Sequence, residues 1–126
     1  MADEENWMKE ETPYDIKERA FLFAVRIVKM VNGLPRTTAG IGLGRQVIRS
    51  GPSIGANLEE ADGAESKKDF VHKVGVARKE ARETRYWLRL IDASGVMSGD
   101  EVKSLHSESD EFVKILSSIM TKAKGK

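Results

Sequence analysis

The chain has 126 residues, no cysteine and a formal net charge of +1. This length is typical of one domain with a substantial core, and the lack of cysteine excludes disulfides and thiolate metal sites. The charge is uneven, because residues 1–12 carry five acids and one lysine (−4), whereas residues 36–91 carry eleven bases and seven acids (+4). The basic middle of the chain is the part that would attract an anionic partner.

The first residues, MADEENWMKEE, are acidic and contain no apolar core segment, so we expect no signal peptide. No apolar run approaches the ~20 residues that cross a bilayer, and we expect no membrane partner. A chain without cysteine suits the reducing cytoplasm, where we place the protein. Residues 1–12 are predicted to form an acidic tail before a domain of residues 13–124.

A first helix is predicted over about residues 13–32. Thr12 is a favourable N-cap residue, Pro13 occupies the preferred first helical position, and Asp15 follows three residues after the cap. The sequence Asn32-Gly33-Leu34-Pro35 predicts a left-handed cap followed by a proline stop. Apolar residues recur at helical spacing between these signals: Ile16, Ala20, Phe23, Ile27 and Met30.

The second helix is predicted over about residues 37–62, although it is rich in residues that disfavour helices. It contains five glycines and Pro52, which would cost about 8 kcal/mol in an isolated helix. A phosphate-binding loop is disfavoured by spacing, because GIGLGR at residues 40–45 lacks the third glycine of the dinucleotide fingerprint. In addition, no glycine here precedes a Lys-Ser or Lys-Thr pair, and no strand precedes the segment.

A repeat with alternating steps of four and three residues accounts for the glycines. Its members are Gly40, Gly44, Val47, Gly51, Ile54 and Leu58. Bare backbone on this seam would let another helix approach closely, with facing bulk such as Phe23 or Phe70 filling the gap. Pro52 removes the hydrogen bond to the Ile48 carbonyl, which predicts a kink. The alternative is a break at Ser50-Gly51 between two shorter helices.

The third and fourth helices are predicted over about residues 67–94 and 99–124. Each opens with a capping-box pattern, SKKD at 66–69 and SGDE at 98–101, and Ser94-Gly95-Val96 ends the third helix. Short connections force neighbouring helices to run antiparallel, so the predicted fold is an all-α, up-down-up-down four-helix bundle. The seams predicted to be buried in these two helices are Phe70, Val74, Ala77, Ala81, Thr84, Leu88 and Ile91, followed by Val102, Leu105, Ser109, Phe112, Leu116 and Ile119.

Three stretches of the chain carry a family resemblance: RSGPSIGANLEEA at 49–61, ESKKDFVHK at 65–73 and ARKEARETRYWL at 77–88. They resemble the bacterial four-helix bundle proteins first met as reading frames in intervening sequences of large-subunit ribosomal RNA genes. The resemblance covers about residues 14–120, with Pro52 as a minor departure. It implies a left-handed bundle, a ring-shaped homopentamer and no established catalytic activity. The similar accessory protein of diversity-generating retroelements binds nucleic acid through a basic surface.

Seven residues of these stretches are assigned a structural role: Gly51, Pro52, Gly55, Asn57, Glu60, Glu80 and Glu83. Asn57 is expected to satisfy a backbone group freed near Pro52. The glutamates, with Glu59, are expected to pair with arginines of neighbouring helices or subunits, namely Arg49, Arg78 or Arg85. The alternative, paired carboxylates in acid–base catalysis, has no nucleophile or metal cluster beside it.

The spacing of the two histidines disfavours a metal centre, and we expect no cofactor and no enzyme. Di-iron bundles need Glu-x-x-His motifs on two helices. His72 follows Asp69 at the required spacing, but His106 follows Lys103. A single carboxylate–histidine pair does not form such a site, so His72 is interpreted as a surface or interface residue.

A basic stripe lies opposite the seam of the third helix and contains no acid: Lys68, His72, Gly75, Lys79, Arg82, Tyr86 and Arg89. One hypothesis is a phosphate-binding surface, with Lys79, Arg82 and Arg89 as its contacts and Arg45 and Arg49 as possible contributors. Tyr86 and Trp87 are candidates for stacking on bases, although Trp87 also suits an interface. The alternatives are a solvated face, a match to the helix dipole, and ion pairs with another subunit.

The first helix has an apolar surface wider than one seam, which indicates self-association. The residues that widen it are Phe21, Leu22, Ala24, Val25, Val28 and Val31. The sequence thus favours a non-enzymatic, self-assembling bundle, and a second hypothesis adds RNA or DNA as a partner. The alternative is a scaffold for protein–protein contacts that binds no nucleic acid.

Overall fold

The computed structural model of the protein describes residues 16–125, which form four helices and, within that range, no strand. We number them α1 (Ile16–Asn32), α2 (Thr38–Asp62), α3 (Lys67–Ser94) and α4 (Asp100–Lys124). The predicted all-α fold with four helices is confirmed. The acidic tail, with the N-cap and proline signals of Thr12 and Pro13, lies outside the described residues.

Side chains and glycines end the helices largely where the sequence indicates. The Thr37 hydroxyl accepts a hydrogen bond from the Gly40 N–H at 3.0 Å and caps α2. The Ser66 hydroxyl accepts one from the Asp69 N–H at 3.0 Å and caps α3. Gly95 ends α3 in the left-handed conformation at φ 78°, which glycine adopts without a steric penalty.

The geometry of two predicted helix caps is wrong. Gly33 does not have a positive φ; its N–H instead donates to the Met30 carbonyl at 3.0 Å, so a tight turn closes α1. The capping box at Ser98 does not form, because Gly99 at φ 122° precedes the first residue of α4 and no side chain caps that helix. The acids Asp100 and Glu101 lie in the first turn, where they interact favourably with the helix dipole.

The core contains the seams predicted from helical spacing. Every predicted seam residue of the four helices is buried, and Ser50, Ala61, Met120 and Ala123 join them. Phe23 of α1 and Phe112 of α4 meet edge to face in the centre, with ring centroids 5.4 Å apart. Burial of these apolar stripes stabilises the bundle more than the intrinsic propensity of any one helix.

Side-chain pairs between adjacent helices join the start of one helix to the end of the next. Lys17 at the start of α1 meets Asp62 at the end of α2, with 2.6 Å between Nζ and Oδ2. Arg49 of α2 meets Glu80 of α3 at 3.4 Å, whereas Glu60 lies 4.0 Å from Lys73. Such pairings are those expected of antiparallel neighbours.

Within residues 16–125, no helix is long and apolar enough to cross a membrane.

The second helix passes through Ser50, Gly51 and Pro52 without interruption, so the alternative of two shorter helices is wrong. The bend at Pro52 stays a prediction. Proline is tolerated here because α2 packs on both α1 and α3 along its length.

Two buried glycines of α2, Gly44 and Gly51, face α1, and neither meets the phenylalanines that we expected. A Cβ on Gly51 would lie 3.0 Å from Cγ2 of Ile27, and one on Gly44 would lie 3.4 Å from Cγ1 of Val31 and 3.3 Å from Cδ1 of Leu34. Gly40 faces the backbone of Pro35 in the connection before α2, and Gly55, one turn beyond Gly51, faces Ala20. The gap is small because the backbones approach closely, so medium and small residues fill it.

Candidate nucleic-acid interface

The outer face of α3 presents the basic stripe to solvent. Its six charged or aromatic members are all exposed: Lys68, His72, Lys79, Arg82, Tyr86 and Arg89. Tyr86 is 56% exposed and lies between Arg82 and Arg89 along the helix. The predicted contacts Lys79, Arg82 and Arg89 thus share one accessible face, which we call the α3 basic face together with Lys68, His72 and Tyr86.

Within residues 16–125, Lys79, Arg82 and Arg89 have no ion-pair partner. The neighbouring arginines differ. Arg78 donates to the Ser117 hydroxyl at 3.3 Å, and Arg85 donates to Asp110 at 2.7 Å, so both turn toward α4. The hydrogen bond from Arg85, reinforced by Lys114, holds the pKa of Asp110 below its ordinary value. Alternate arginines of α3 therefore serve the bundle, and the others remain accessible.

Arg49 is used within the bundle, although sequence reasoning made it a contributor to phosphate binding. Its guanidinium pairs with both Glu80 and Glu83 of α3, which confirms the expected ion pairs for those two glutamates. The Trp87 indole donates to the same Glu83 carboxylate at 3.1 Å. Trp87 is half-buried and packs against the core of its own bundle, and its role in an interface stays a prediction. Two carboxylates offset the charge of Arg49 and weaken its attraction for phosphate.

Arg45 lies apart from the α3 basic face. It lines a pocket between α1 and α2, beside Ile41 and Ile48. Its role as a contributor to phosphate binding stays a prediction.

Two other expectations about the family-like stretch are wrong in detail. Glu59 and Glu60 pair with lysines, Lys17 at 3.6 Å and Lys73 at 4.0 Å, and not with arginines. The Asn57 amide donates to the Ser53 carbonyl at 2.9 Å, so it does not reach the carbonyl freed by the proline one turn earlier. The side chain of Asn57 is too short to span that distance along the helix axis.

Sequence reasoning missed a polar pair inside the core. Ser50 and Thr84 are both fully buried, and their hydroxyl oxygens lie 2.8 Å apart across the contact between α2 and α3. The Thr84 hydroxyl also lies 2.8 Å from the Glu80 carbonyl oxygen. Thr84 was already on the predicted seam, and a polar residue at a seam position signals a partner in the core.

Within the described part of the chain, no cluster of histidine and acidic side chains is suited to hold a metal ion. His72 is exposed on the α3 basic face, in line with its interpretation as a surface residue. What the described arrangement offers chemically is therefore positive charge and an exposed ring, both suited to a polyanion.

Comparisons with known proteins agree with the fold and the motifs. The model of the family described as 23S rRNA-intervening sequence protein matches residues 12–118. A crystal structure of a protein of unknown function from the S23 ribosomal protein family of Bacteroides thetaiotaomicron is similar, with 39% identity and a TM-score of 0.78. That match covers 84% of this chain and 95% of the other. No curated protein matches the chain. The protein belongs to the 23S rRNA-intervening sequence protein family.

Proposed function

We propose that this protein is a non-enzymatic, self-assembling four-helix bundle of the cytoplasm that binds RNA or DNA through the α3 basic face. The observation that carries the proposal is the exposure of Lys79, Arg82 and Arg89 on one helix face without a carboxylate partner among residues 16–125. Lys79 and Arg82 are three residues apart, and like charges at that spacing destabilise a helix slightly unless something offsets them. A phosphate backbone would supply that offset.

Binding of this kind depends on charge and only weakly on base sequence. Each phosphate that a lysine or arginine neutralises releases counterions, so affinity falls steeply as salt rises. Tyr86 supplies a ring on which an unpaired base can stack, worth about 1–3 kcal/mol per base. We therefore expect single-stranded nucleic acid to bind more tightly than a duplex of the same length.

Fluorescence anisotropy with labelled RNA and DNA at two salt concentrations tests this part of the proposal. The double variant R82E/R89E should lose most of its affinity at low salt, and its salt dependence should be less steep by about two phosphate contacts. K29E/K122E changes the net charge equally but away from the α3 basic face, so it should bind almost as the parent does. Absence of binding at low salt, or equal binding by R82E/R89E, would leave the scaffold alternative.

Self-assembly is supported by large apolar side chains that are exposed on two adjacent helices, α1 and α2. Phe21 is 60% exposed and Ile41 is 47% exposed, and Leu22, Val28 and Ile48 are exposed with them; we call these five residues the α1–α2 apolar face. Contiguous exposed apolar patches on soluble proteins usually mark interaction sites. The homopentamer implied by the resemblance is the assembly that we propose for it.

Light scattering and native mass measurement test the assembly. The parent chain should have several times the 14.0 kDa mass of one chain, and F21D/I48D should shift it toward the monomer. Y86D places one aspartate at an exposed aromatic residue of α3 and should leave the mass of the assembly unchanged. A monomeric parent at micromolar concentration would refute self-assembly and leave the nucleic-acid hypothesis to its own test.

A further inference from the structure

A pocket of about 250 Å³ opens where α1 passes into α2. Apolar side chains and two arginines share its lining, and its volume is below the ~300–1,000 Å³ of sites for drug-sized ligands. A cavity of ~150 Å³ already accommodates benzene, so this one has room for a larger aromatic side chain. The apolar residues that line it are Val31, Leu34, Pro35, Gly40, Ile41 and Ile48.

Two arginines stand at this apolar pocket. Arg36 and Arg45 are exposed, and neither forms an ion pair within residues 16–125. Apolar lining combined with two cations favours an aromatic or aliphatic group that has acids close to it in sequence. A purely apolar or a basic partner would leave the arginine charges without partners.

The segment before α1 has this chemistry. In DEENWMKEE, residues 3–11, Trp7 and Met8 are flanked on one side by Asp3, Glu4 and Glu5 and on the other by Glu10 and Glu11. Tryptophan is the residue type most often found as an anchor in such pockets. The segment lies outside the family match, which starts at residue 12, so it is a feature of this chain beyond the shared bundle.

The segment is long enough to reach the pocket of its own bundle. Along α1, Val31 of the pocket lies 15 residues from Ile16, or ~22 Å at 1.5 Å per residue. Trp7 precedes Ile16 by nine residues, which span up to ~30 Å when extended. The direct path follows the exposed side of α1, past Phe21 and Val28. An intramolecular partner also binds at a high effective concentration.

We propose that residues 3–11 dock on their own bundle, with the Trp7 indole in the pocket between α1 and α2 and the acids beside Arg36 and Arg45. The docked segment covers Ile41 and Ile48 of the α1–α2 apolar face. If that face mediates the self-assembly proposed above, the docked segment becomes part of the surface that a second copy contacts. Docking itself does not depend on assembly or on nucleic acid.

Trp7 fluorescence in the full-length chain tests the docking. In the W87F background, where Trp7 is the one remaining tryptophan, its emission should lie at shorter wavelength than free indole and resist acrylamide quenching. R36E/R45E should shift the emission to the wavelength of exposed tryptophan, and so should high salt. R82E/R89E reverses the same charges on α3 and should cause no shift.

A second measurement avoids the W87F substitution, which could destabilise the bundle because Trp87 is half-buried and its indole donates a hydrogen bond to Glu83. Fluorine NMR of the chain labelled with 5-fluorotryptophan, with W7F to assign the signals, should show a Trp7 resonance that moves with R36E/R45E. Solvent-exposed Trp7 in the parent chain, or no response to R36E/R45E, would overturn the proposal. A Trp7 signal that becomes solvent-exposed on dilution would also overturn it, since the segment would then dock on a second copy.

Discussion

The two sides of α2 are built in different ways. Toward α1 and the connection that follows it, the helix presents Gly40, Gly44 and Gly51, and the opposing residues lie at or below ordinary contact distance from where a Cβ would be. Toward α3, it presents side chains that bond, such as the buried pair Ser50–Thr84 and the ion pairs of Arg49 with two glutamates. The contact with α1 depends on the absence of side chains at the glycines. The contact with α3 depends on hydrogen bonds and ion pairs between side chains.

This difference explains why a helix with five glycines and a proline is stable. Glycine and proline weaken the isolated helix by several kcal/mol. Close approach of two backbones brings many more atoms into van der Waals contact, and each contributes ~0.1–0.2 kcal/mol. The contacts on the α3 side then set the register, because a hydroxyl pair and an arginine between two carboxylates align at one position only.

The largest effect is expected from adding a methyl group on the α1 side. In Gly40→Ala the new Cβ would overlap the Pro35 carbonyl oxygen and lie 3.2 Å from Cγ of Pro35. Backbone atoms cannot move aside as a flexible side chain does, so we expect a loss of about 2–3 kcal/mol in unfolding free energy. Urea denaturation at fixed protein concentration measures this loss. Stability equal to that of the parent would contradict the close contact.

A smaller effect is expected from removing one bond on the α3 side. Thr84→Val leaves the Ser50 hydroxyl buried without its partner, which should cost about 1–2 kcal/mol. The double variant S50A/T84V removes both hydroxyls and should cost less than the two single changes added together. Urea denaturation of the three variants gives the coupling energy. Strictly additive losses would show that the two hydroxyls stabilise the bundle independently.

The smallest effect, of opposite sign, is expected two residues from Gly40. Gly42 is exposed on α2, and a Cβ there would meet nothing within 4 Å. Gly42→Ala should therefore raise the unfolding free energy by about 0.5–1 kcal/mol, through helix propensity alone. The same urea experiment compares it directly with Gly40→Ala. Destabilisation by Gly42→Ala would reveal a contact of Gly42 beyond the described bundle, for instance with a second copy.

Most of the fold was predictable from the sequence because a helix and its buried face depend on local spacing. The seams of α1, α3 and α4 follow from apolar residues every three or four positions, and the caps at Thr37, Ser66 and Gly95 follow from residue types. The exposure of Lys79, Arg82 and Arg89 follows from the same geometry, since residues opposite a seam face solvent.

Contacts between helices required the tertiary structure. The sequence predicted which face of each helix is buried but not what lies opposite. The residues opposite the glycines are Ile27, Leu34 and Pro35, and Glu59 pairs with Lys17. These partners depend on the register and distance between two helices, which are set jointly by all residues of the contact. The pocket with its two arginines likewise arises only where the end of α1 meets the start of α2, because no single helix contains it.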